Sequence, residues 1–281
     1  MIMVKIGQWN TLPVSRTVDF GVYLDGGNTE ILLPARYIEG TLRPGQEVEV
    51  FVYTDSEDRI IATTEHPFAT VGEVAFLRVK AVDRIGAFLD WGLMKDLLVP
   101  FREQRARMRE GGVYPVYVYL DDASKRVVAS AKIEKFIGNV IPRYSKADKV
   151  RALVWRTTPV GLSCIVDNLH YGMLYTNETF MNLEPGMVID AWVHRLRPDG
   201  KIDLRLAPPA SGRLRSEQLA DIILEQLTIS GGALPLSDKS SPEEIKKAFQ
   251  CSKRDFKQAV GHLLKDRKIA LDERGISLLA N

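Results

Sequence analysis

Gly86–Glu103 reads GAFLDWGLMKDLLVPFRE. Its opening alternates as a half-buried strand does, with Ala87, Leu89 and Trp91 on one face and Phe88 and Asp90 on the other. Upstream, Gly21–Arg36 reads GVYLDGGNTEILLPAR. Laying Gly21 on Gly86 pairs Tyr23 with Phe88, Leu24 with Leu89 and Asp25 with Asp90. A one-residue insertion then brings Leu32–Arg36 onto Leu98–Arg102. The chain repeats itself, and a repeat decides the architecture before any single element does.

The repeat extends outward. Glu49–Glu65, EVFVYTDSEDRIIATTE, matches Pro115–Lys132, PVYVYLDDASKRVVASAK. Each is an alternating strand, an acidic turn, a basic residue and a second β-branched strand, which is a hairpin pattern. A fainter third copy lies at Met187–Leu206, where Asp199-Gly200 makes the turn and Lys201 takes the place of Arg59 and Arg126. Val160–Glu178 fills the position of its opening stretch. Three modules of about 65–75 residues therefore tile the chain to about Pro209. About five short strands in that length, bounded by Gly, Pro and Asp, predict small closed barrels rather than one large sandwich.

After Pro208–Gly212 the periodicity changes from two to 3.6. Leu219, Ile222, Ile223 and Leu227 form one helical stripe. Ser241-Pro242-Glu243-Glu244 predicts a helix start, with Ser as N-cap, Pro at the first position and Glu244 closing a capping box. Ser252 with Asp255 predicts another, followed by an apolar stripe of Phe256, Ala259, Val260, Leu263 and Leu264. Ile269–Leu271 and Ile276–Leu279, joined through Asp272 to Gly275, read as a hairpin. Three helices and a hairpin are winged-helix architecture.

The phrases G-x-[YF]-L-D, L-[LV]-P and DRIIATT or KRVVASA resemble the OB-fold RNA-binding domain repeated in the largest small-subunit ribosomal protein. With DWGLMKDLLVP, FVYTDSEDRIIATTE and DKSSPEEIKKAF, they make the chain similar to the bacterial CvfB/YitL family of conserved virulence factor B-type proteins. The resemblance covers nearly the whole chain. It implies a multidomain, mainly β protein: three tandem OB-fold barrels over 1–67, 68–143 and 144–210, the third divergent, then an α+β winged-helix domain over 211–281. It further implies RNA binding and an influence on gene expression. It also places an RNA-contacting aromatic at Phe20, where the second module has Ile85.

Tyr23 and Phe88 each share a strand face with an aspartate, which predicts partial exposure. Such rings stack bases on OB surfaces, and the competing reading is packing against a neighbouring module. Trp91 is a further candidate ring, although its parity with Leu89 also suits a core plug. In the third module Ser163 and Ile165 replace the aromatic and the aspartate, so Tyr175, His170, Tyr171, Arg195 and Arg197 are candidates for a substitute surface. Arg36 and Arg102 after the L-[LV]-P strands, Arg59, Arg126 and Lys201 after the turns, and Lys95 after Trp91 are candidate phosphate contacts. Solvated charge and salt bridges to Asp55, Asp58 or Asp121 are the alternatives. Lys253–Lys268 holds six basic residues against two acidic ones. It presents Lys253, Arg254, Lys257 and Lys265 to nucleic acid, or to solvent alone.

The 38 Lys and Arg against 36 Asp and Glu make the chain nearly neutral, so any polyanion site is a local patch. Cys164 and Cys251 form no C-x-x-C pair, and a reducing, cytoplasmic setting is expected. No membrane span, signal peptide, metal, cofactor or small-molecule substrate is expected. The four histidines lack zinc spacing, the glycines make no nucleotide fingerprint, and no nucleophile has a matched base. The expected function is non-enzymatic binding of single-stranded RNA in gene-expression regulation. The alternatives are a DNA-binding regulator acting through the winged helix, or a scaffold for a ribosome-associated or RNA-degradation protein.

Overall fold

Three sheets repeat one strand plan. The computed structural model describes residues 3–176, 182–206, 212–249, 251–272 and 275–279. The first sheet joins β1 (Gln8–Val18), β2 (Gly21–Asp25), β3 (Glu30–Pro34), β4 (Glu47–Thr54) and β5 (Ile60–Thr63) into a closed barrel of order β1-β2-β3-β5-β4. Its neighbours are antiparallel except β3 and β5, which run parallel at Leu32 and Ile61.

The second sheet contains β6 (Val74–Val82), β7 (Gly86–Leu89), β8 (Leu97–Pro100), β9 (Val113–Leu120) and β10 (Val127–Ser130), ordered β10-β9-β6-β7-β8. It curls so that β8 lies beside β10, the place of the parallel pair in the first barrel. The third is a closed barrel of β11 (Lys149–Thr158), β12 (Gly161–Val166), β13 (His170–Tyr175), β14 (Val188–Leu196) and β15 (Ile202–Arg205). Five-stranded barrels of this order are OB folds.

Two local devices recur in all three. The first strand of each breaks register once, at Val14/Arg16, Val79/Ala81 and Val154/Arg156, and such bulges bend a long strand so that it pairs on both sides. The shared glycines have a steric reason. A Cβ on Gly21, Gly86 or Gly161 would collide with the carbonyl oxygen of Leu33, Val99 or Leu174 across the tight strand pair.

The strand alternation holds. Val22, Leu24, Ala87 and Leu89 are core, while Tyr23, Phe88 and Asp90 are half-buried and Asp25 is exposed. The chain divides into two compact units, Met1–Phe136 and Ile137–Asn281. Within the first, the core of the second barrel continues into Phe51 and Tyr53 of β4. Gly7 and Val71 add a backbone hydrogen bond of 2.8 Å between the barrels.

In the second unit α1 (Gly212–Ile229), β16 (Ala233–Leu234), α2 (Pro242–Phe249), α3 (Lys253–Lys265), β17 (Ile269–Asp272) and β18 (Gly275–Leu278) make the winged helix, with sheet order β16-β18-β17. Leu219, Ile223, Leu227, Ile245, Phe256, Ala259, Val260 and Leu263 bury its core. Ser241 and Glu244 exchange both capping-box hydrogen bonds, 2.7 and 3.2 Å. Ser252 caps α3 by accepting from the Asp255 amide. Leu264, expected on the buried stripe, is instead exposed, because successive residues of a helix are rotated by about 100°, which carries Leu264 off the face that buries Leu263. The expected break at Pro208–Gly212 and the turn residues 273–274 lie largely outside the described residues. Among those residues no helix is long and apolar enough to cross a membrane.

Candidate nucleic-acid interface

The rings singled out by the repeat fall into two classes. In the first barrel Phe20 is exposed at the end of β1, and Tyr23 stands edge-on to it at 6.4 Å. The β1–β2 register sets Arg16 opposite Tyr23 and lays its guanidinium 4.0 Å from the ring centre. Glu30 pins that guanidinium at 2.9 Å, and the hydrogen bond from Arg16 holds the Glu30 carboxyl below its usual range. In the second barrel the register sets Ala81, not a cation, opposite the half-buried Phe88, and the preceding Lys80 is bound to Asp96 at 2.9 Å and Asp90 at 3.2 Å. Arg16 does not stand out in the sequence, because only the strand register places it beside the ring of Tyr23.

Trp91 belongs to the other class. It is 2% exposed, donates its indole N–H to the Ala69 carbonyl at 2.6 Å, and meets Phe51 and Tyr53 edge-on at 5.5 and 6.3 Å. This corrects its place among the candidate base-stacking rings. The alternation at Leu89 turns it inward, and no ring face is open to a ligand.

The basic candidates sort by matched position. Arg36, Tyr53, Asp55, Arg59 and Ile61 line a groove beside β3 and β5 of the first barrel. Arg102, Tyr119, Asp121, Arg126 and Val128 line its counterpart beside β8 and β10. These sets correspond residue for residue in the repeat, so one groove is built twice. Met94 and Lys95 complete the first, and Ile85, in the place of Phe20, edges the second.

Each groove carries cations partly neutralised by acids of the two hairpin turns. Arg59 pairs with Asp55 at 2.7 Å and Glu57 at 2.8 Å, and Arg102 reaches Asp121 at 3.7 Å. Arg126 is ion-paired with Asp58. Arg36 is exposed and lies 4.7 Å from the Tyr37 ring, with no ion pair among the described residues. Exposed pairs of this kind contribute little to stability, so an incoming anion would displace them at small cost. Lys95 differs. Its ammonium donates to the Thr54 and Asp55 carbonyls at 2.7 and 2.6 Å, fixing a residue of the second barrel onto the turn of the first.

The third barrel departs from this plan. Ser163, Ile165 and Leu153, on the face that carries Tyr23 and Phe88 elsewhere, are all buried. In its groove Arg197 replaces Asp55, and Asp203 replaces Ile61. Arg197 Nε binds Asp203 Oδ1 at 2.7 Å, and Tyr175 is hydrogen-bonded to both. Tyr175 is thus engaged by groove residues rather than standing free. Lys201 is exposed and pairs with Asp199 at 3.2 Å. His170, expected on a substitute surface, is buried edge-on to Tyr144 at 5.5 Å. Tyr171 packs over Gly138 and against Trp155, and Arg195 is exposed.

On α3, Arg254, Lys257 and Lys265 are exposed, with Lys257 4.0 Å from Asp238. Lys253 is half-buried and its Nζ lies 3.4 Å from the Lys239 carbonyl. Among the described residues no three His, Cys, Asp or Glu side chains gather to hold a metal ion.

The family described as S1 domain matches residues 6–65 and 71–132, the first two barrels, and the CvfB-like winged helix domain matches 221–278. YitL of Bacillus subtilis is 29% identical over 277 residues, covering 95% of this chain and 91% of the relative. Conserved virulence factor B of Staphylococcus saprophyticus is 29% identical over 254 residues, 85% of this chain and 82% of the relative. A crystal structure of a multidomain protein with nucleic acid binding domains from Streptococcus pneumoniae aligns over 98% of both chains with 26% identity and a TM-score of 0.43.

Paired grooves on S1-type barrels, with a winged helix later in the chain, define a chain of nucleic-acid-binding domains. The chain belongs to the CvfB-like family, the group of YitL and conserved virulence factor B.

Proposed function

We propose that the protein binds single-stranded RNA through the grooves of the first two barrels, with the winged helix as an additional basic contact, and that it regulates gene expression after transcription. The observation that carries this reading is the groove built twice at matched positions, in barrels that also leave Phe20 exposed and Tyr23 and Phe88 half-buried. Base stacking on such rings contributes about 1–3 kcal/mol per base and tolerates any sequence, because every base has a π-face. Arg36, Arg59, Arg102 and Arg126 supply the phosphate half. Binding in one groove makes binding in the next intramolecular, so avidity sets the overall affinity. Non-enzymatic action in the cytoplasm belongs to the same reading, as does the division into modules at about 67, 143 and 210.

The test is fluorescence anisotropy on the full chain with single-stranded RNA and with duplex DNA. Tyr23→Ala/Phe88→Ala is expected to weaken RNA binding by about 1–3 kcal/mol per ring while the protein stays folded. Unchanged affinity would assign both rings to packing. The exposed basic face of α3 supports a second reading, duplex DNA binding. Preference for the duplex that is lost in Arg254→Ala/Lys257→Ala would replace the first reading with it.

A further inference from the structure

The two grooves are cross-linked. Met94 and Lys95, which line the first, come from the β7–β8 loop of the second barrel. Arg126, which lines the second, is ion-paired with Asp58 in the β4–β5 turn of the first. The grooves therefore meet at three side chains: Lys95, Asp58 and Arg126.

The charges there are arranged as cation, anion, cation. Burial, and then the charge of Arg126, push the Lys95 ammonium below the usual lysine range, and Asp58 acts against both. The Arg126 hydrogen bond holds the Asp58 carboxyl low, and Lys95 adds to it. Two positive groups fixed near each other call for an anion; Asp55 and Asp58 both act on Lys95, and Asp58 is the one ion-paired with Arg126.

The turn itself does not demand an acid. Asp58 has φ +64°, and the matching residue of the second turn, Lys125, has φ +55°, so an acid and a base serve the same left-handed position. Asp58 is also half exposed, free to leave on a change of rotamer.

We infer that this junction is a phosphate site on a continuous track. A single strand running through both grooves sets one phosphodiester between Lys95 and Arg126, and Asp58, a resident stand-in for that phosphate, swings away. Lys95 is already immobilised by two carbonyls, so little side-chain entropy is lost when the phosphate arrives. Freed from Asp58, the planar guanidinium of Arg126 can engage the phosphate with two parallel hydrogen bonds. A strand confined to one groove does not cross the junction and gains nothing from displacing Asp58. The junction therefore makes affinity rise stepwise with strand length.

This inference rests on the nucleic-acid reading above, and its test separates the two. The full chain is titrated with fluorescent oligouridylates of about four nucleotides, the site of one groove, and about twelve, enough for both. The variants are Asp58→Asn, which keeps the left-handed turn because Asn tolerates it, and Asp122→Asn, which removes the same charge from the neighbouring turn. Asp58→Asn is expected to bind the long strand about fivefold tighter, with a salt slope steeper by about 0.7, the signature of one phosphate contact on a single strand no longer offset by the displaced carboxylate. The short strand and Asp122→Asn are expected to show no such gain. An equal gain with the short strand, an equal gain in Asp122→Asn, or no gain with the long strand would overturn the junction. Wild-type protein that binds neither oligomer would overturn the nucleic-acid reading instead.

Discussion

Trp91 separates the packed face from the open face at the scale of one residue. Its neighbour Phe88 differs by three positions in sequence and by the opposite fate of its ring. The alternation of β7 makes that division, since successive side chains of a strand point to opposite faces. Trp91 fills the space between Phe51, Tyr53 and Ala69, so Trp91→Ala opens a cavity the barrels cannot close. A loss of about 3–5 kcal/mol is expected, measured by urea unfolding of the full chain. A loss under about 1 kcal/mol would show that the two barrels hold together without the ring. The inward turn of Trp91 was legible in the sequence, because parity along a strand is local. Lys95 was not: its bonds to Thr54 and Asp55 span 41 and 40 residues, and no periodicity announces a contact at that range.

At the scale of the element, β12 shows how a repeated strand loses a repeated role. Where β2 and β7 bury one face, β12 buries both, which suits its run of Leu162, Cys164, Ile165 and Val166. The substitutions at Ser163 and Ile165 foretold the change, but the salt-bridged groove of Arg197, Asp203 and Tyr175 did not show in the pattern, since three scattered positions had to change together. The adjoining β13 begins at His170, whose ring is buried. Burial pushes its basicity below the usual histidine range, against the pull of Asp167 and the Val140 carbonyl. The folded chain resists a proton that the unfolded chain accepts near the ordinary value of about 6.5. Stability of the second unit therefore falls as the pH drops through that value. Thermal melts at about pH 7.5 and about pH 5.5 should show a wild-type decline that His170→Leu reduces, and an unchanged decline would place the sensitivity in another group.

For the whole molecule, three barrels and a winged helix were readable from repeat length, turn residues and the change of period after Pro208. The grouping of the first two barrels into one compact unit was not. It depends on Trp91, Lys95 and the Asp58–Arg126 pair, which join residues far apart in the chain. Segments that share a core open together, so β4 and β7 are expected to exchange their protected amides at the same opening free energy. Native-state hydrogen exchange read by mass spectrometry measures this. Wild-type segments that open independently would mean that the shared core is not cooperative, and Trp91→Ala should separate them.

The shared core also sets an order of events during synthesis. Phe51 and Tyr53 are made before the ring that covers them, and the first barrel leaves the ribosome with that apolar surface bare. Translation at about 5–20 residues per second leaves it bare for several seconds, until Trp91 emerges. The nascent first barrel is thus sticky by construction, and a pause in translation between residues 65 and 91 would lengthen its exposure to misassembly with neighbouring chains.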